Sequence, residues 1–164
     1  MTTVLGTPLA SGRDLVGGEL FERLVSRVVT DAGVDREMAE RAVDQSLAFL
    51  AASARHVGEP LSPSAGVDLG WHAFLLYTRE YTEFCHRIAG RFIHHVPDDA
   101  PGSAPTGAGG RVGRTPAAIE AAGYVVDHEL WFSGTDRCGS CHEEGNCNAS
   151  GGDGNENSDN RGKD

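Results

Sequence analysis

The sequence predicts a mainly α protein: a small helical bundle of three principal helices plus one short helix, with a disordered C-terminal tail. Three observations predict this. Apolar residues recur at three- and four-residue steps over three long stretches, the spacing that lines one helix face. Glycine and proline punctuate the ends of those stretches. Towards the C-terminus the chain turns to Gly, Asn, Asp and Ser, a composition that cannot bury a core.

A chain of 164 residues suits one domain. Only 39% of it is hydrophobic, and its 22 glycines are unevenly spread, so the core must come from about the middle two thirds. The net charge of −10 argues against nucleic acid, because neutralising phosphates requires clustered Lys and Arg. It argues equally against an anionic membrane surface. No apolar run reaches the roughly 18 residues that a bilayer-spanning helix needs. Residues 1 to 13 lack the basic and apolar regions of a secretory signal. A cytoplasmic location is the resulting expectation, and there the four cysteines are thiols or metal ligands rather than disulfides.

Residues 1–17 read as a flexible arm, and residues 18–132 as the helical domain. The first helix is expected over about 19–32, with Leu20, Phe21, Leu24, Val25, Val28 and Val29 forming one stripe. Gly33 is its natural stop, since glycine adopts the left-handed cap at no steric cost. Asp35 is the expected N-cap of the second helix, about 36–55. There Met38, Ala42, Val43, Ser46, Leu47, Leu50 and Ala54 share a face, with Glu and Arg opposite. Residues 56–66 form a connector. The third helix is expected to run unbroken over about 67–89, with Trp71, Phe74, Tyr81 and Cys85 near one face and Gly90 as its end. Residues 98–114 read as a mobile linker. Thr115-Pro116 then opens the short fourth helix as N-cap and first-turn proline, and Gly123 closes it. The apolar residues of 124–132 should dock on the bundle or meet a protein partner. Residues 133–164 are the disordered, cysteine-bearing tail.

The chemistry concentrates in two places. Asp68 and His72 lie four apart on one helix face, so a carboxylate and an imidazole can share one ion, or the Asp can orient the ring. His94 and His95 follow the glycine stop, where a chain reversal would return one of them to His72. Adjacent residues of an extended segment point to opposite sides, so at most one of the two readily joins. Two or three His with one carboxylate is an ordinary ligand set for zinc or non-haem iron. A hydrogen-bonded structural cluster is the competing reading. Trp71, Tyr81 and Cys85 also suit a plain core.

The order Asp68-x-x-Trp71-His72, then Tyr81, Cys85, Gly90 and His94-His95-x-Pro97, resembles bacterial relatives of the glycine-rich domain-containing protein-like family over roughly residues 60–98. The resemblance implies a helical domain and carries no general activity. Many of those relatives have Trp-His-x-His, and here Phe74 stands at the second His position, which removes one ligand.

In the tail, Cys138-Gly139-Ser140-Cys141-His142 followed by Cys147 has the spacing of a compact Cys3His zinc knuckle. The same residues spell the haem-attachment pattern. No haem is expected, because that attachment needs export and an apolar pocket. Free thiols are one alternative, and a tail modified by another enzyme or bound by a partner is a second. No phosphate-binding glycine loop or dinucleotide fingerprint occurs, so no nucleotide is expected. Three functions follow: a metal-binding protein, a non-catalytic interaction or leader module, and a metal-dependent enzyme in which an open position at His72 activates water or oxygen. No reaction follows from the sequence.

Overall fold

The structure is a computed structural model, and it describes residues 8–96 and 111–132. Among these residues the chain is mainly helical, with a 3-10 turn at Gly12–Leu15 and six α-helices. These are α1 (Gly18–Ala32), α2 (Arg36–Arg55), α3 (Ala65–Leu75), α4 (Thr78–Ala89), α5 (Arg111–Ala121) and α6 (His128–Phe132).

Helix α1 follows its sequence signals. Phe21, Leu24, Val25 and Val28 are buried, and Gly33 caps the helix at φ 66°. Asp35 opens α2 as anticipated, its carboxylate accepting the Met38 backbone N–H at 2.8 Å. Such a cap contributes about 1 kcal/mol. The expected one-sided α2 does not hold. Between Ala42 and Ala52 every residue except Asp44 is buried, because α1, α3, α4, α5 and the 3-10 turn all pack on this helix. Helix α2 is the axis of the domain.

The long third helix is two helices. Ser64 caps α3, accepting from the Val67 N–H at 3.3 Å, and the chain breaks at Leu76 and Tyr77 before α4 begins. The reason lies in the core. A continuous helix would set Trp71 and Tyr81 about 15 Å apart along its axis, yet the Trp71 indole N–H donates to the Tyr81 hydroxyl at 2.9 Å. Tyr77, at φ −93° and ψ 64°, makes the bend that lets both aromatic residues enter one core.

Helix α3 crosses α2 at close range. A Cβ at Gly70 would lie 2.5 Å from the Ala42 carbonyl oxygen and 2.6 Å from Ser46 Oγ. Only a residue without a side chain permits this approach.

The chain ends depart from expectation. The N-terminal arm is fastened from Ala10 onward: Ala10 bridges Tyr124 in parallel, and the Ser11 hydroxyl and Arg13 N–H both reach the Asp44 carboxylate. Helix α5 starts at Arg111, inside the expected linker, with Pro116 within it. Thr115 is not its cap. Its buried hydroxyl instead donates to the Ser62 carbonyl at 2.8 Å, tying α5 to the connector. Leu130 and Trp131 of α6 are buried in the core, leaving Val125 and Phe132 facing outward. Among the described residues no helix is long and apolar enough to cross a membrane.

Candidate metal centre

Asp68 and His72 sit one turn apart on α3, as their spacing requires. His72 Nδ1 lies 3.1 Å from Asp68 Oδ2 and 3.0 Å from the Asp68 carbonyl oxygen. The third member comes from the segment after α4. Gly90, in the left-handed conformation at φ 67°, ends α4 and turns the chain back. Ile93 is then buried, His94 exposed and His95 half-buried, the alternation of an extended segment. His95 Nε2 reaches Asp68 Oδ1 at 2.8 Å.

Ligand atoms of Asp68, His72 and His95 all fall within 4.8 Å of one another. Bound tetrahedrally to one zinc ion, such atoms would stand about 3.4 Å apart. The His72 and His95 contacts, 3.1 and 2.8 Å, run to different oxygens of the Asp68 carboxylate, Oδ2 and Oδ1, so the carboxylate bridges the two rings. Protonated, the two ring nitrogens donate to the carboxylate; bare, their lone pairs and one carboxylate oxygen are the atoms that would hold a cation. Exposure is graded across the cluster. The His95 side chain is 16% exposed and Asp68 27%, while His72 is 59% exposed and forms the open side.

The surrounding residues hold this geometry from behind. The Trp71 ring lies 4.4 Å from that of His95, and the His72 and His95 ring centres are 4.5 Å apart. The Tyr81 hydroxyl accepts from Trp71 and donates to the Ile93 carbonyl at 2.7 Å. Burial pushes the Tyr81 phenol above its ordinary value, so it stays a donor. Trp71 and Tyr81 read from sequence as plain core. The signal that marks them otherwise is the polar handle each carries, which a buried aromatic residue must satisfy.

The predicted ligands divide clearly. His94 is not brought to the cluster; its ring lies 4.8 Å from Phe92, on the other side of the extended segment. Cys138, Cys141, His142 and Cys147 fall outside the described residues, as does Pro97. Cys85 is a free, fully buried thiol in the core. His128 is a surface residue, stacked on Phe132 and 3.6 Å from Glu120.

A second polar cluster went unread in the sequence. Buried Gln45 accepts from the Trp131 indole N–H at 2.8 Å and the Asp127 N–H at 3.1 Å, and donates to Val125 O and Asp44. Arg41 makes a two-point pair with Asp127 at 2.5 and 2.9 Å. Arg41 holds the Asp127 carboxyl below its usual range, burial opposing it and the Leu130 N–H assisting. Both residues sit among the charged and small positions of α2, where periodicity assigns them to solvent.

No curated protein and no solved structure matches the chain. A family model does match, described as UCP032817-like, over residues 18–109. This overturns the resemblance to the glycine-rich domain-containing protein-like family. Of the residues that suggested it, Trp71, Tyr81 and Cys85 are accounted for by the core and Gly90 by the helix stop. The matched span takes in α1 to α4 and all three residues of the cluster, and the chain belongs to the UCP032817-like family.

Proposed function

We propose that the protein binds one divalent transition-metal ion, zinc or ferrous iron, through Asp68, His72 and His95. The observation that carries this reading is the return of His95, 27 residues on, to the carboxylate already facing His72. Two imidazoles and a carboxylate are the donor set of both metals. The earlier ligand set contracts accordingly, without His94.

The test is elemental analysis of the untagged full chain beside His72→Ala, His95→Ala, His94→Ala and Cys141→Ala. One metal per chain should survive in the last two variants and be lost in the first two. Loss with Cys141→Ala alone would move the site to the tail, and a metal-free wild type would remove the reading.

One feature favours a metal-dependent enzyme over a purely structural site. Three protein ligands leave a coordination position for water on the exposed His72 side, the arrangement of catalytic rather than closed structural zinc. Hydrolysis of an activated ester by the metal-loaded chain, abolished in His95→Ala, would support it. Equal rates in the two proteins would exclude it for that substrate class.

A further inference from the structure

We infer that Tyr81 is a positioning residue for the metal centre, setting His95 in place through the backbone of Ile93; this rests on the metal-binding reading above. The segment over 91–96 has no regular secondary structure, and among the described residues no backbone–backbone hydrogen bond joins it to a neighbouring element. Beyond the turn at Gly90, the contacts that hold it among the described residues involve side chains. Ile93 is buried, Phe92 lies edge-on to Tyr81 with ring centres 5.2 Å apart, and the Tyr81 hydroxyl donates to the Ile93 carbonyl at 2.7 Å.

That last bond fixes more than distance. A carbonyl held by a buried donor sets the orientation of the peptide that follows it, and His95 is two residues on. In an extended chain those two residues face the same way, so anchoring Ile93 inward points His95 towards α3. The Tyr81 oxygen is itself held by the Trp71 indole N–H at 2.9 Å, and the Trp71 ring packs against His95. The chain Trp71, Tyr81, Ile93 thus starts beside one ligand, His72, and ends beside another, His95. Partners that orient metal-ligating residues commonly set metal affinity within a factor of about 10 to 100.

The experiment titrates Co2+ into the full chain, reading affinity and the visible absorption of the bound ion. It compares wild type with Tyr81→Phe, which removes one oxygen and keeps the ring. Ile119→Val serves as a control for general destabilisation, because Ile119 is buried on α5, which packs on α2 and α6. Tyr81→Phe should bind Co2+ about 10- to 100-fold more weakly, with an altered absorption band, while Ile119→Val binds as wild type does. Trp71→Phe, which deletes the N–H at the other end of the chain, should shift the same band and keeps the test open if Tyr81→Phe does not fold. Wild-type affinity and spectrum in both aromatic variants would overturn the positioning role and leave the metal site standing. Equal weakening in Ile119→Val would overturn it too, since stability alone would then explain the loss. Wild type that binds no Co2+, or binds it equally well as His95→Ala, would remove the metal reading itself and this inference with it.

Discussion

At the scale of single residues, Gln45 shows how little freedom a buried polar side chain has. Its oxygen accepts twice and its nitrogen donates twice, so nothing is left unpaired. Gln45→Leu keeps the bulk but leaves the Trp131 and Asp127 N–H groups without an acceptor. The expected loss is about 2–6 kcal/mol, since each of the two orphaned buried donors costs roughly 1–3 kcal/mol. Urea unfolding measures it, and an unchanged midpoint would show that water replaces the amide. Asp127 gives a pH prediction. Its folded carboxyl lies below the ordinary value of 3.8 because Arg41 holds the charged form. A depressed acid stabilises the fold above its unfolded pKa and loses that contribution as pH falls through the folded value. Wild type should therefore lose stability below about pH 4. Asp127→Asn should be less stable at pH 7 and show a shallower acid limb in melts recorded from pH 7 to pH 2. Parallel acid limbs in the two proteins would place the pH dependence elsewhere.

Between elements, the α2–α3 crossing decides where the candidate site sits. Gly70 lets the two helices touch, and a methyl group there would be 2.5 Å from backbone that cannot swing aside. Gly70→Ala should cost about 1–3 kcal/mol as an overpacked contact. It should also move α3, and with it Asp68 and His72, relative to the rest of the core. Thermal melting reads the first effect, and Co2+ affinity reads the second. Gly90→Ala offers a contrast on another element. Nothing would meet its Cβ, so the cost is that of the left-handed backbone alone, about 1–2 kcal/mol. A Gly90→Ala loss well above that range would mean that the turn does more than end α4. The break at Tyr77 belongs at this scale as well, because it brings Tyr81 to Trp71.

Across the whole molecule, the core extends beyond the span shared with the family. Ile119, Tyr124, Leu130 and Trp131 are buried, yet all lie after residue 109. Burying Ile119, Leu130 and Trp131 contributes roughly 5–9 kcal/mol at 1.5–3 kcal/mol per large apolar side chain. That is comparable with the entire stability of an ordinary domain, about 5–15 kcal/mol. A chain ended at residue 109 should therefore lose its cooperative unfolding transition and bind a hydrophobic dye, while one ended at residue 132 should melt like the full chain. A sharp transition in the shorter chain would show that the family span folds unaided. Terminal segments cooperate in this clasp. Ala10 exchanges backbone hydrogen bonds with Gly123 and Val125 at 2.8 and 2.9 Å, and Asp44 of α2 holds the residues just after it.

What the sequence by itself determined is what short-range physics controls. Helix periodicity, the Asp35 cap and the glycine stops at Gly33 and Gly90 gave the helical class, the bounds of α1 and α2 and the end of α4. The four-residue spacing placed Asp68 and His72 on one face, and the alternation of extended chain allowed only one of His94 and His95 to join them. Which one joined was decided by tertiary structure, because it depends on whether Ile93 faces inward, and that follows from Tyr81 and Trp71 on two different helices. The same holds for the break at Tyr77, the all-round burial of α2 and the docking of α6 on Gln45. Each is a demand made by partners 10 to more than 80 residues away, as between Trp71 and Tyr81 or Gln45 and Trp131. Local pattern reports which face of a segment is apolar. It carries no information on which distant group will satisfy a buried polar atom, and that choice builds the candidate site.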